Sequence, residues 1–115
     1  MAQQPHTPRR GDVYDCQVPA GDAAETVTVV VVSRDDWNMT PPDDRIWAVP
    51  IKRHERPLAV RLTDADPIGG WVQIHGHGMN PRTWLTTPVA MLSGATMQKI
   101  REAFATLQED TEPTL

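Results

Sequence analysis

A chain of 115 residues with hydrophobic residues at 39% and a formal charge of −4 is long enough for one buried core. It has no apolar run near the ~20 residues a membrane helix needs, no apolar segment behind the arginines of its start MAQQPHTPRR, and one cysteine, Cys16, which cannot pair within the chain. These features point to a cytoplasmic protein without a membrane partner. They leave nucleic acid open as a partner, because a binding footprint depends on where positive charge sits and not on the total.

Residues 1–10 are polar, carry no hydrophobic period and read as a flexible N-terminal arm ending at Arg9 and Arg10. A single domain follows over residues 11–108, and residues 109–115 read as a frayed tail. Residues 12–18, DVYDCQV, alternate like a first strand with one wetter face, and residues 19–25, PAGDAAE, read as the connecting loop. The stretch at residues 26–33, TVTVVVVS, is the strongest strand signal. β-branched side chains suit a pleated, covered surface, and Val29, Val30, Val31 and Val32 leave no wet face, which places this strand in the middle of a sheet.

Residues 45–51, RIWAVPI, give a third strand in which Pro50 cannot donate to a ladder and should mark where pairing ends. Residues 52–57, KRHERP, form the densest basic cluster. A fourth strand over residues 58–62 turns Leu58, Val60 and Leu62 inward, and a fifth over residues 70–75 turns Val72 and Ile74 inward with Trp71, Gln73 and His75 opposite. Residues 82–87 add a short sixth strand. The last element is a helix from Ser93 to about Leu107, with Ser93 as N-cap, Leu92 and Met97 as a hydrophobic staple, and Met97, Ile100, Phe104 and Leu107 as its apolar stripe. The fold class is therefore mainly β: five to six mostly antiparallel strands in a small barrel or strongly bent sheet, capped by a C-terminal helix over a core of Val29, Val31, Ile46, Val60, Val72 and Ile74.

Gly-Asp-Val-Tyr at residues 11–14, Val-Val-Ser at residues 31–33 followed by Asn38, Ala-Val-Pro-Ile at residues 48–51, Val-Arg-Leu at residues 60–62 and Leu-Ser-x-x-Thr-Met-x-x-Ile at residues 92–100 occur in one order and spacing. In that arrangement the chain resembles the MazF/PemK toxins of bacterial toxin–antitoxin pairs, over residues 11–107. The resemblance implies an SH3-like barrel, a homodimer, metal-free endoribonuclease action on single-stranded RNA, and a small antitoxin as partner. It also implies two catalytic positions, an arginine entering the second strand and a threonine after the Val-Pro of the third. Here Val27 and Lys52 stand at those positions, so both expected catalytic side chains are replaced. Gln73 matches a glutamine of the family's fifth strand.

Metal-free RNA cleavage needs a base for the 2′-hydroxyl, an acid for the leaving oxygen and a cation for the phosphorane. Lys52, His75 and His77 are the candidate catalytic groups. Arg53, His54, Arg56 and Arg82 are candidates to hold phosphate, with Gln73 beside them, and Trp71 and Trp84 offer stacking surfaces for unpaired bases. The bland alternative makes His75 and His77 exposed turn residues and residues 52–56 a solvated loop. Two histidines at i, i+2 without a third ligand are no zinc signature, so no metal or cofactor is expected. Two readings stand: a ribonuclease toxin with a rearranged site, and a catalytically silent relative that binds RNA, DNA or a protein through the same surface.

Overall fold

The computed structural model describes residues 7–111 of the chain. Seven strands form one antiparallel sheet: β1 (Asp12–Ala20), β2 (Ala23–Val31), β3 (Arg45–Lys52), β4 (Ala59–Arg61), β5 (Trp71–Gln73), β6 (Gly78–Pro81) and β7 (Leu85–Met91). A short helix α1 (Asp35–Met39) follows β2, and α2 (Gly94–Thr111) ends the described chain. The strand order is β4-β5-β3-β2-β1-β7, with β6 also on β3. Among the described residues the end strands β4 and β7 are not paired with each other, so the sheet is bent but open. The fold class expected from sequence holds, with seven strands where five to six were expected.

The valine strand is central, paired with β1 on one side and β3 on the other. Its alternation divides the core in two. Val30 and Val32 join Val13, Val49, Val72 and Ile74 beneath α2, whereas Val29 and Val31 join Tyr14, Cys16, Ile46 and Ala48 on the opposite face. All six residues expected in the core are buried. The helix nevertheless covers only Val60, Val72 and Ile74 of them, because odd and even positions of one strand cannot share a face.

Four boundaries differ from expectation for identifiable reasons. The loop assigned to residues 19–25 is mostly strand: β1 and β2 continue in register to Ala20↔Ala23, leaving a two-residue turn at Gly21 and Asp22. Cross-strand pairing supplies what an alanine-rich composition does not advertise. Leu58 stays out of β4 because its φ of 62° is left-handed. The fifth strand stops at Gln73, and residues 74–76 make a 3-10 turn. The sixth strand expected at residues 82–87 is instead β6 before it, a 3-10 turn at Arg82–Trp84, and the longer β7. β7 tolerates Pro88 because it is an edge strand, and its register against β1 shifts twice.

Residues 1–6 and 112–115, parts of the expected arm and tail, lie outside the described residues. Arg9 and Arg10 are tied into the domain: the Asp12 amide donates to the Arg9 carbonyl, and Arg10 donates from Nε to the Val32 carbonyl at 3.1 Å.

The start of α2 is fixed by side chains that the sequence makes legible. Ser93 Oγ accepts the Thr96 amide at 3.2 Å, the expected N-cap bond. Leu92 and Met97 share one apolar cluster, as a staple requires. Less legible is Asp66, buried in the turn before β5, whose carboxylate takes the Ser93 amide at 2.8 Å and the Thr96 hydroxyl at 2.6 Å while also accepting the Thr63 amide at 2.9 Å. Burial alone would raise the carboxyl pKa, but these donors overcome it and hold the group down at about 2.

Candidate nucleic-acid interface

The site begins with a change of partners along β3. Its first half pairs with β6 from Arg45↔Pro81 to Ala48↔Gly78, and its last two residues pair with β5 as Ile51↔Val72 and Lys52↔Trp71. Pro50 falls in the gap, where it has a β2 partner, Val29, but none on the β5–β6 side. Its Cγ lies 2.8 Å from where a Cβ on Gly76 would sit, so the 3-10 turn packs directly on the proline ring. The expected end of pairing at Pro50 is thus a handover from one neighbour to another.

Beyond the proline, Ile51 and Val72 face α2, so Lys52, Trp71 and Gln73 face the other way. β4 extends the same row, with Arg61 opposite Trp71 and its guanidinium carbon 5.9 Å from the indole centroid. The result is a line across three strands, Arg61, Trp71, Lys52, in which an exposed and a half-buried cation flank an indole. Val27 packs on the same side of the sheet, against the cluster of Tyr14, Cys16 and Val29. The observed β2–β3 pairing itself ends at Val29↔Pro50, so the two positions where the family resemblance implies catalytic side chains each lie two residues past its last pair.

The loop after Lys52 is drawn onto the same surface by Gln73, whose buried side-chain amide donates to the His54 carbonyl. Within the loop, Arg56 Nε donates to His54 Nε2 at 3.2 Å, which fixes that imidazole with its Nε2 as an acceptor. Arg53, His54 and Arg56 are all exposed. The arrangement offers four cations, a stacking ring and an imidazole to one ligand.

Of the candidates named from sequence, Lys52, Arg53, His54, Arg56, Trp71 and Gln73 come together here. His75 is exposed on the adjacent 3-10 turn. His77 is not part of this cluster. Its Nδ1 accepts the Trp47 indole N–H at 3.1 Å, and its ring sits 5.4 Å from Phe104 of α2, on the helix-covered side of the sheet. Arg82 pairs with Asp44 at 3.5 Å near Arg45, at the far end of β3 from Lys52, roughly 23 Å away along the strand. Trp84 packs against the cluster around Cys16 and Val31. Arg61 was missed from sequence: alternation turns it outward, but nothing local reveals that β4 lies beside β5. Among the described residues, no three His, Cys, Asp or Glu side chains are grouped to hold a metal.

Neither a protein-family model nor a curated protein sequence matches the chain. Solved structures do. An endoribonuclease from a mycobacterial species, in complex with its cognate antitoxin, is 27% identical with a TM-score of 0.76, covering 93% of this chain and 98% of its own. A second mycobacterial endoribonuclease is 25% identical with a TM-score of 0.79, covering 94% of this chain and 97% of its own. MazF from Deinococcus radiodurans, in a MazE–MazF crystal, shares the fold at a TM-score of 0.79 with 15% identity.

Proposed function

We propose that this chain, MazF-like in fold from end to end of its domain, is a cytoplasmic toxin–antitoxin endoribonuclease that cleaves single-stranded RNA without a metal. The observation that carries the reading is the Arg61, Trp71, Lys52 row with the 53–56 loop beside it, found on a chain that two mycobacterial endoribonucleases match over nearly their full length. In this reading the unpaired base stacks on Trp71, and Lys52, Arg53 and Arg56 hold the scissile phosphate. No helix among the described residues is long and apolar enough to cross a membrane.

The chemistry follows from what RNA itself brings. The 2′-oxygen attacks the adjacent phosphorus as a base removes its proton, and the 5′-oxygen leaves as an acid protonates it. The products are a 2′,3′-cyclic phosphate and a 5′-hydroxyl. His75 on the next turn, and His54 once the RNA phosphate draws Arg56 away from its Nε2, are the acid–base pair, each contributing roughly 10²–10⁴-fold. Lys52 replaces the hydroxyl of the family pattern with a cation that stabilises the dianionic phosphorane. His77 has no role in this scheme.

The test uses purified full-length protein on a long unstructured RNA with EDTA present, so that contaminating metal nucleases are silent. Cleavage that is lost in Lys52→Ala supports the proposal. Binding without cleavage by the wild type would favour the second reading, a silent relative, which the apolar Val27 at a catalytic position specifically motivates. Failure of both binding and cleavage would end the nucleic-acid assignment of this face. The same reading assigns a homodimer and a small antitoxin as partners, and a monomer mass by light scattering at micromolar concentration would remove the first of these.

A further inference from the structure

The RNA face holds one cation that the cleavage scheme leaves without a task. Lys52, Arg53 and Arg56 are the groups placed on phosphate, whereas Arg61 lies on the other side of Trp71 from Lys52, on the outer strand β4. Neighbouring strands are about 4.8 Å apart, so roughly 10 Å of sheet separates Lys52 from Arg61, with Trp71 midway. A nucleotide whose phosphate sits on Lys52 and whose base lies on Trp71 therefore brings to Arg61 the edge of that base and not a second phosphate.

Arg61 is exposed, and among the described residues it has no ion-pair partner. It lies over the indole, with its guanidinium carbon 5.9 Å from the ring centroid. At an exposed site a cation over a ring is weakly held, so an arriving base displaces the guanidinium from the face of Trp71 to its margin at little cost. The row Arg61, Trp71, Lys52 contains no carboxylate, and the buried Gln73 beside it has its side-chain amide engaged by the His54 carbonyl. What stands at the outer margin of the indole is thus a planar fork of N–H donors with no acceptor.

We propose that Arg61 and Trp71 form a guanine-selecting subsite for the base that adjoins the scissile phosphate. The proposal rests on the endoribonuclease reading of this face and adds which base the face prefers. Guanine presents two adjacent acceptors, O6 and N7, which a guanidinium takes with two parallel hydrogen bonds. Adenine sets its N6 amino group beside N7, so one donor of the fork would face another donor. Uracil separates its two carbonyls by an N–H and offers the fork one acceptor at a time. Cytosine has neighbouring acceptors at O2 and N3, but its single ring covers less of the indole than a purine does. Stacking on Trp71 accepts every base, and Arg61 makes the choice among them.

The experiment is fluorescence anisotropy of the full-length protein with labelled pentanucleotides UUXUU, X being G, A, C or U, at one fixed salt concentration. They are built on 2′-deoxyribose, so they bind and cannot be cleaved. Guanine at X is expected to bind roughly ten-fold or more tightly than any other base, the discrimination of one good bidentate pair. Two further measurements separate base readout from simple affinity. Replacing guanine by 7-deazaguanine, which lacks the N7 acceptor, should remove most of the advantage on the wild-type protein itself. Arg61→Gln, whose amide offers both donor and acceptor, should bind guanine no better than adenine, whereas Arg53→Ala/Arg56→Ala should weaken all four oligonucleotides and keep their ranking. Far-UV circular dichroism shows that the variants are folded, and the 7-deazaguanine comparison needs no variant. Equal binding of all four, a preference for any other base, or a guanine preference that survives 7-deazaguanine or Arg61→Gln would overturn the proposal. So would a wild type that binds none of them. The nuclease reading is judged separately, by cleavage of long RNA in EDTA, so the subsite fails alone where RNA is cut without regard to guanine.

Discussion

At the level of single residues, charge and acid–base chemistry separate by substitution. Arg53→Ala/Arg56→Ala should weaken RNA binding and reduce its salt dependence, the slope of log K against log salt falling by roughly 0.7 for each phosphate that no longer has a cation on it. His54→Ala should instead spare binding and lower the cleavage rate by roughly 10²-fold or more, measured at saturating RNA. A variant in which both fall together would make His54 a binding residue only. Cys16 belongs to no site. It is fully buried between β1, β2 and β7, and burial pushes its thiol pKa up, both of which keep the reactive thiolate scarce. Native protein should resist a thiol reagent such as DTNB for as long as it stays folded and react at once in guanidinium. Fast labelling under native conditions would mean that the sheet opens locally at β1.

Elements are held by a few groups whose removal is informative. Asp66 ties the turn before β5 to the start of α2. Its folded carboxyl is lowered from the usual 3.8 to about 2, so the stabilisation it supplies is full above the unfolded value and fades as pH falls through the folded one. Asp66→Asn should cost roughly 2 kcal/mol at neutral pH by denaturant titration, and the gap to wild type should close between about pH 4 and pH 2. Gly70 is the second such point. Its φ is +122°, and a Cβ there would lie 2.6 Å from the Lys52 carbonyl oxygen, so Gly70→Ala should destabilise by roughly 2–3 kcal/mol and disturb the Lys52–Trp71 pairing. A thermal melt and an RNA titration on one preparation would measure both effects.

What could be read from the chain tracks how local each signal is. The valine strand and the Ser93 cap are written in consecutive residues; the cap stands where expected, and the strand is present but runs Ala23–Val31 and not over residues 26–33. β6 and the extent of β7 were not legible, because Pro81, Pro88 and two register shifts erase the alternation that marks a strand. The hairpin beyond Val18 was hidden for a different reason: its residues have weak strand preference and are held by their partners across the turn. At the site, the basic loop was legible as a cluster of charge. That Arg61 joins it and His77 leaves it depends on strand order and on Trp47 and Phe104, which no neighbour in sequence announces.

For the whole molecule, the division of β3 at Pro50 has a mechanical consequence. β4 and β5 are joined to the other strands through only two residue pairs, Ile51↔Val72 and Lys52↔Trp71, whereas β1 and β2 share eight. They amount to a flap on a short seam, and α2 leans on it from one side. Amide hydrogens at Val60 and Val72 should therefore exchange with deuterated water through local opening, well before those at Val13 and Val30, which await global unfolding. Equal protection at both places would show that the flap and the main sheet open as one. An RNA strand gripping Lys52 on one side of the seam and Trp71 and Arg61 on the other would act as a stitch across it. Bound RNA should then slow exchange in β4 and β5 more than anywhere else, because the flap opens only after the strand lets go of one side, so RNA release sets a ceiling on how fast the flap opens.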